Sequence, residues 1–398
     1  MRTLLLVTGI LISPQLWALQ GIDPIRSEML RNNPEAKIYQ LQVEAAKSEI
    51  AASRLNHLPQ LAVKSDWTNE NGFNNYFEAQ VNLFSGFEIL NETRGLKTAA
   101  DLEKINYEKK IRELNERLIN TLSDIIYFHK SQKILESELA INKDQRKMAE
   151  RKISAGMATQ LDSLELDLRE EEIRILKSQL EKDHRELHTR LEEIVGVEVS
   201  EAQIDALEFD TTLSKDIPQL SNHRSIDTQV GELELERQKY NLKAARGGYW
   251  PKLDLTYSFG HFKTDRWQGE DIENQVGLAL TIPLFSAFNS HYKQKSQSFI
   301  KTAMEHNLER IKLATKQSEE MLSAKFDEVQ ELFTINKRKI NLAKKYYEIT
   351  VFEYKKGLKN SADLAAATER WFDLQRKEFE LLKEYEKLKV QIQNLQPL

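Results

Sequence analysis

The chain has 398 residues and a formal charge of -5, from 57 Lys or Arg and 62 Asp or Glu residues. A charge this close to neutral argues against nucleic acid as a partner, because nucleic acid requires a basic face. Glycine (14) and proline (8) together make 22 of the 398 residues, about half of their average share. So few turn-forming residues favour a small number of long elements. The chain has no cysteine, which excludes disulfides, thiolate metal sites and a cysteine-linked lipid anchor.

The first residues follow the order of a secretory signal. Arg2 precedes an apolar run from Leu4 to Ile12, and Pro14 and Ala18 come before a polar stretch. This order predicts a signal peptide over residues 1–18 and therefore an exported protein. The alternative, a buried N-terminal helix, is disfavoured because Pro14 would interrupt it. Beyond residue 18 no run of about 18 apolar residues occurs, so no membrane-spanning helix is predicted.

The rest of the chain contains two copies of one unit. Pro59 corresponds to Pro251 at an offset of 251 − 59 = 192, and all later landmarks correspond at 201. These later landmarks are 84–87 (FSGF) with 285–288 (FSAF), and 156–162 (GMATQLD) with 357–363 (GLKNSAD). Each copy is predicted to run helix, strand, turn, strand, long helix, sharp turn, helix.

The repeat predicts a mainly α fold with a small β part and fixes the domain organisation. A connector over 197–222 separates the first repeat, 19–196, from the second, 223–398. The predicted elements of the first repeat, after its leading helix, are a β-hairpin over about 59–85, a long helix over about 88–155 and a helix over about 159–195. Those of the second are a hairpin over about 251–285, a long helix over about 288–356 and a helix over about 360–395.

The long helices carry a heptad pattern. Between Pro283 and Gly357 there are 73 residues without glycine or proline, enough for a helix about 100 Å long at 1.5 Å per residue. Apolar positions alternate in steps of four and three, which predicts coiled-coil packing. The seam is Leu322, Phe326, Val329, Phe333, Asn336, Ile340, Ala343 and Tyr347. Subtracting 201 gives a more polar seam at Thr121, Ile125, Phe128, Gln132, Leu135, Leu139, Asn142 and Arg146.

The two hairpins are amphipathic and rich in aromatic residues. Of the 33 aromatic residues, 15 lie within 67–87 and 249–292. Apolar and polar residues alternate along each strand, as expected for a strand with lipid on one face and water on the other. The predicted lipid-facing belt is Trp67, Phe77, Val81, Tyr257, Phe259, Leu278 and Leu280. The alternative is a hairpin that packs in water on its own helices.

Four strands cannot close a barrel, and open strand edges in lipid leave backbone groups unpaired. The chain must therefore form an oligomer if the hairpins enter a membrane. Two chains would give 8 strands, whose interior side chains fill, whereas three give 12 and leave room for water. A trimer is the expectation, and a tetramer stays open.

Several segments resemble TolC-like outer membrane efflux proteins over essentially the whole mature chain. The most specific are 249–253 (YWPKL), 282–286 (IPLFS) and 354–357 (YKKG), with Asp363 six residues after the last. The resemblance implies a homotrimer with a 12-stranded barrel in the outer membrane of a Gram-negative bacterium, continued by an α-helical coiled-coil barrel in the periplasm. It also implies a passive exit duct for efflux or type I secretion, supplied by an inner-membrane pump and a periplasmic adaptor. The alternative function is a periplasmic coiled-coil adaptor or scaffold without a membrane barrel.

The sharp turns carry the clearest local signals. Gly156 ends the first long helix, Thr159 can cap the next helix, and Asp162 follows three residues later, a capping-box-like arrangement. The second repeat has Asn360 and Asp363 at the equivalent positions. A purely structural role is one interpretation of both aspartates.

The resemblance implies a second interpretation of these turns, in which they close and dock the periplasmic end. In similar proteins acidic residues at these turns form a ring that constricts the periplasmic aperture, which is the role implied for Asp162 and Asp363. Polar links between neighbouring coiled coils, which hold that aperture shut, correspond to Tyr354, Lys359 and Asp162. The adaptor-docking turns would comprise Gly156, Met157, Thr159, Gly357, Leu358 and Asn360. Helix–strand junctions are expected at Pro59, Pro251, Pro283, Phe84 and Phe285, where proline stops a helix.

Catalytic patterns are absent from the sequence. His184 and His188 are spaced i, i+4, which could pair them on a metal ion. No third ligand is evident, so solvated surface is the expectation, and the remaining histidines are expected to form no cluster. There is no glycine-rich phosphate loop and no nucleophile elbow. We predict no enzyme activity, cofactor or metal site.

Overall fold

The computed structural model describes residues 19–56, 58–68, 72–209, 225–264, 272–284 and 288–396. The predicted signal peptide, Phe285 and residues 210–222 of the predicted connector lie outside these ranges.

The described chain is mainly helical with a small β part, and its elements repeat in order, which confirms the predicted fold class. In the first repeat they are β1 (Leu19–Gln20), α1 (Asp23–Asn32), α2 (Pro34–Leu55), β2 (Gln60–Thr68), β3 (Gly72–Phe84), α3 (Glu88–Ser154) and α4 (Gln160–Val195). The connector contributes α5 (Glu201–Asp205) and β4 (Glu208–Phe209). The second repeat has α6 (Ile226–Ala245), a 3₁₀ helix (Arg246–Tyr249), β5 (Lys252–Thr264), β6 (Ile272–Thr281), α7 (Asn289–Lys355) and α8 (Ser361–Leu395).

The chain divides into two compact units. Unit 1 contains the residues up to Pro34 together with 111–221 and 318–396, and unit 2 contains 35–110 and 222–317. None of the helices in the described segments combines the length and the apolar composition needed to span a bilayer.

Unit 2 contains one antiparallel sheet with the strand order β2-β3-β5-β6. Its register aligns the predicted apolar positions of the four strands on one face, because Val63 pairs with Phe77, Phe77 with Phe259, and Leu255 with Leu278. The other face is polar: the Tyr76 hydroxyl donates to Asp66 over 2.8 Å, and Asn82 Nδ2 donates to Asp254 over 2.7 Å. Strands β2 and β6 each have one partner within the described sheet.

Unit 1 is built on the heptad seams. Phe326, Val329 and Phe333 of α7 are buried, and the ring of Phe326 lies 5.0 Å from that of Tyr385 in α8. Asn336, on the same seam, donates through Nδ2 to the carbonyl oxygen of Leu374. The predicted α7 seam therefore faces α8, which confirms the coiled-coil expectation for this helix.

A buried ion network joins three helices of unit 1. Glu138 of α3 is fully buried. Arg169 of α4 donates through Nε to Glu138 Oε1 over 3.2 Å, and Arg376 of α8 donates through Nη1 to Glu138 Oε2 over 2.8 Å. Glu369 of α8 also accepts from Arg169. Two guanidinium groups thus share one desolvated carboxylate. Removing one member of such a network is costly, because it leaves a buried charge without its partner.

Candidate functional site at the two helix turns

The two long helices end in the same hydrogen-bonded turn. Gly156 and Gly357 have φ angles of 72° and 80°, in the left-handed region that favours glycine. The N–H of Met157 bonds to the carbonyl of Lys152 over 2.8 Å, and the N–H of Leu358 bonds to that of Glu353 over 3.0 Å. This five-residue span is the Schellman closure of a helix C-terminus.

The helices that follow are capped as their sequences indicate. Asp162 Oδ2 accepts from the backbone N–H and the hydroxyl of Thr159, over 3.0 and 3.1 Å. In the second repeat the N–H of Asp363 donates to Asn360 Oδ1 over 2.9 Å. These bonds satisfy N–H groups that a helix N-terminus otherwise leaves unpaired.

Asp162 also links the two repeats. Its second oxygen, Oδ1, accepts a hydrogen bond from the N–H of Ser361, the first residue of α8. The hydroxyl of Ser361 lies 3.2 Å from that of Tyr354, whose side chain is buried. Two of the four predicted aperture residues, Asp162 and Tyr354, are therefore joined through a serine that the sequence did not single out.

Lys152 adds a cation to this cluster. Its ammonium group donates to the carbonyl oxygen of Tyr354 and lies 3.9 Å from the centroid of the Tyr354 ring. A cation is favourable here because the carbonyls at the C-terminal end of α7 carry partial negative charge and the ring face attracts positive charge. The only sequence signal for Lys152 was its place in the last turn of α3.

The cluster shifts the protonation of its acidic groups. Partial burial would raise the pKa of Asp162, but the hydrogen bonds from Ser361 and Thr159 outweigh it and hold that pKa below its usual value. Burial raises the pKa of the Tyr354 phenol, with a smaller opposing effect of the Ser361 hydrogen bond. Asp162 is thus ionised and Tyr354 neutral near pH 7.

The other two predicted aperture residues form a separate pair. Lys359 Nζ lies 3.7 Å from Asp363 Oδ2, within one turn of the chain. Asp363 is the repeat counterpart of Asp162, and the contacts above engage it within its own turn. The two aspartates therefore differ in what they hold, although their sequence contexts are alike.

The tips of the turns expose apolar side chains. Met157 and Leu358 are 70% and 72% exposed, and a Cβ atom added at Gly156 or Gly357 would meet nothing within 4 Å. The turns are therefore open to an external partner.

Most of the predicted lipid-facing belt is exposed in the single chain. Phe77, Tyr257, Phe259, Leu278 and Leu280 are exposed, and Val81 is half-buried. Trp67 lies in β2 opposite Phe73.

The predicted junction residues stand where strands meet helices. Pro59 and Pro251 directly precede β2 and β5, and Pro283 follows β6. Phe84 ends β3, and its ring packs edge to face on that of Phe87, with centroids 5.1 Å apart.

The expectation for the histidines was wrong. His129 of α3 joins His184 and His188 of α4, with Nε2–Nε2 distances of 3.2 Å from His129 to His184 and 2.9 Å from His188 to His184. No group of His, Asp or Glu side chains within the described ranges is arranged to hold a metal ion.

The sequence signal for the histidine cluster was the turn between α3 and α4, because the two helices fold back on each other near residues 156 and 157. Residue n then faces residue 313 − n, and 313 − 184 is 129.

Comparisons with known proteins identify the family. The model described as outer membrane efflux protein matches residues 25–197 and 217–395. The fold is similar to that of CusC, with a TM-score of 0.81 and 14% identity over 95% of this chain and 92% of that chain. The outer membrane protein VceC of Vibrio cholerae gives 0.80 and 12%, over 94% and 96% of the two chains. The MtrE outer membrane channel of Neisseria gonorrhoeae gives 0.80 and 14%, over 95% and 89%.

None of the proteins of curated function matches the chain in sequence. The structural likenesses, at such low identity, establish the fold. The family model covers both repeats and most of the chain. The protein belongs to the outer membrane efflux protein family and is an efflux channel of the outer membrane.

Proposed function

We propose that the protein is the exit duct of a tripartite efflux or type I secretion system of a Gram-negative bacterium. It passively conducts substrates from an inner-membrane pump across the periplasm, where its helices lie, and through the outer membrane. The observation that carries this proposal is the four-stranded sheet, which has an exposed apolar face, a polar face and, among the described strands, no partner at the outer edges of β2 and β6.

Such a sheet requires sister subunits. In hydrocarbon an unpaired backbone N–H or C=O costs several kcal/mol, so the edges of β2 and β6 must pair. Pairing β6 of one subunit with β2 of the next closes a ring, and three chains supply 12 strands and a water-filled interior. This supports the trimer.

Unit 1 offers matching surfaces for the same assembly. Each of α4 and α7 has exposed apolar residues at heptad spacing, which coiled-coil packing normally covers. They are Leu161, Leu164, Leu168 and Ile175 on α4, and Ile335, Leu342, Tyr346 and Ile349 on α7. We assign these seams to contacts between sister subunits.

The repeat also sets the register of the subunit junction. Strand β2 corresponds to β5 at an offset of 192, and β6 corresponds to β3 at 201. The observed pair Ala79–Tyr257 then places Leu280 (79 + 201) opposite Ser65 (257 − 192) of the neighbouring subunit. The pair Gln80–Thr256 places Thr281 opposite Lys64 in the same way.

Cysteine cross-linking tests this junction directly, because the chain has no cysteine of its own. The test variants are Ser65→Cys with Leu280→Cys and Lys64→Cys with Thr281→Cys. Two adjacent pairs are used because antiparallel partners alternate between wide and close spacing. Oxidation of the protein in native membranes should produce covalent dimers and trimers in denaturing gels.

The matched control is Val63→Cys with Val276→Cys. In this register Val63 faces Ile282, six residues or about 20 Å along β6 from Val276. The control should remain monomeric. A protein that stays a water-soluble monomer, or that conducts no ions in a planar bilayer, would end the proposal in favour of an adaptor or scaffold.

Adaptor docking is assigned to the exposed turn residues Met157 and Leu358. A double variant Met157→Asp with Leu358→Asp should lose the adaptor and the pump in affinity capture from native membranes. Ser154→Asp, which adds a charge at the same turn without removing an apolar residue, should retain them. Equal capture of the adaptor and the pump by the wild type and by both variants would contradict the docking assignment.

A further inference from the structure

The histidine cluster of His129, His184 and His188 lies at a contact between α3 and α4 in unit 1. His184 is central, since its Nε2 atom lies within hydrogen-bonding distance of the Nε2 atoms of both other rings. The ring of Phe128 stacks on that of His184 with centroids 4.2 Å apart. All three histidines are half-buried, so bulk water screens their mutual contacts only in part.

The number of protons in this cluster is limited by its geometry. A hydrogen bond between two ring nitrogens needs one N–H and one lone pair, and a neutral imidazole supplies one of each. Both contacts of His184 fall on its Nε2 atom, which presents either one N–H or one lone pair. A lone pair there can be shared by the Nε2–H groups of His129 and His188, even when each of those rings carries an extra proton. When all three rings are charged, N–H groups oppose each other about 3 Å apart, where like charges repel strongly.

The charges around the cluster act in both directions. Asp205 of α5 lies 3.4 Å from His129 Nδ1 and favours one positive charge on that ring. Glu201 acts in the same sense, whereas Lys133 opposes it. A cavity of about 240 Å³ adjoins the cluster and admits solvent; it is lined by His129, Gln132, Lys133, Glu136, Glu201 and Asp205. Its neighbouring ion pairs are Lys177–Glu136 and Lys130–Glu208.

Burial favours the neutral rings. Desolvation lowers the pKa of His129, although Asp205 acts against it. Desolvation also lowers the pKa of His184, and the other two histidines lower it further. A folded-state pKa below the usual 6.5 means that the unfolded chain binds more protons. The stabilisation from the cluster is therefore present above pH 6.5 and is lost as the pH falls below it.

We propose that the histidine cluster is a proton-controlled latch between α3 and α4, which holds while the His184 ring is neutral and loosens when all three rings are charged. The segments released are the part of α4 around His184 and His188, and the adjoining α5 with Asp205. The latch is independent of the proposed transport role, since it concerns contacts within one chain.

Hydrogen–deuterium exchange of the full-length protein in detergent tests the latch. Peptides from 180–206 are followed between pH 8 and pH 5, after correction for the intrinsic pH dependence of exchange, and peptides from 361–395 serve as an internal reference. EDTA is present throughout, so that a trace metal ion cannot hold the rings together. Protection of 180–206 should fall about tenfold or more on acidification, the scale expected of proton linkage, while the reference peptides change little.

The test variant is His184→Gln, which removes the central ring and cannot take up a proton. Its protection at 180–206 should change less than about twofold over the same range. The control is His306→Gln, an exposed histidine 3.4 Å from Glu309, which should behave as the wild type does. An equal loss of protection in wild type and His184→Gln would overturn the proposal.

A second measurement on the wild type does not depend on a variant. Side-chain NMR of histidine-labelled protein reports the titration of each ring. The latch requires at least one ring to titrate below the usual value of 6.5. Titration of every ring at or above that value would also overturn it.

Discussion

The carboxylate of Asp162 accepts a hydrogen bond of 3.0 Å from the backbone N–H of Ser361, 199 residues later in the chain. This bond joins the first turn of α4 to the first turn of α8. By the repeat offset of 201, the counterpart of Asp162 is Asp363 and that of Ser361 is Gln160. The described contacts of Asp363 are with Asn360 and Lys359.

Removing the donor of this link should open the proposed aperture. Ser361→Pro deletes the N–H but keeps the helix, because proline is well tolerated at the first helical position and the preceding Asn360 is extended. We expect the ratio of open to closed channels to rise roughly tenfold, the equivalent of 1.4 kcal/mol. Single-channel conductance in planar bilayers measures it.

The matched control is Gln160→Pro, at the equivalent first position of α4 after the extended Thr159. It should leave gating close to wild type. If Ser361→Pro gates as the wild type does, the Asp162 bond is only a cap.

The Asp363→Ala variant tests the acidic ring. It should alter block by cations or the conductance in planar bilayers, through loss of a carboxylate at the proposed aperture. If both properties are unchanged, the acidic-ring interpretation fails for that residue.

The contribution of Asp162 should depend on pH in a defined direction. Its pKa is lowered from 3.8, so the folded protein prefers the carboxylate more than the unfolded chain does. The resulting stability is present above pH 3.8 and is lost as the pH falls further. Thermal unfolding should show Asp162→Asn less stable than wild type at pH 7, with the two converging toward pH 3. A difference that persists unchanged at pH 3 would contradict this.

Replacing glycine by alanine should have opposite effects on stability in a left-handed turn and within a helix. Gly357→Ala should destabilise the protein by about 1–2 kcal/mol, because its φ of 80° disfavours a Cβ atom. Gly95→Ala, within α3 and with only ordinary contacts at 3.5 Å or more, should stabilise it by about 0.5–1 kcal/mol. Thermal unfolding midpoints of the two variants measure both signs. Shifts of the unfolding midpoint with the same sign would contradict the role assigned to the positive φ of Gly357.

The buried carboxylate of Glu138 should be among the costliest to remove. Glu138→Ala leaves the guanidinium groups of Arg169 and Arg376 without their shared partner, at an expected cost of about 3–5 kcal/mol. Glu136→Ala, which breaks an exposed pair 3.6 Å from Lys177, should cost at most about 1 kcal/mol. Denaturant unfolding in detergent separates the two. Similar midpoints would mean that solvent reaches Glu138.

Contacts near in sequence were predictable, and contacts between distant segments were not. The strand faces follow from alternation, and the α7 seam follows from steps of three and four, because backbone geometry fixes both periods. Ser361 and Lys152 were missed, since each acts on a partner about 200 residues away. The histidine cluster was missed although His129 can be found by counting back across one turn.

The sequence by itself determined the two-repeat, mainly helical fold with amphipathic strands, because helix ends, strand faces and heptad seams depend on residues within a few positions of one another. Only the tertiary structure decided that Asp162 reaches Ser361, whereas the described contacts of Asp363 lie within its own turn. It also decided that His129 meets two histidines of α4, and that Glu138 lies between two arginines. These contacts depend on the rotation and register of long helices against each other, which no local period specifies.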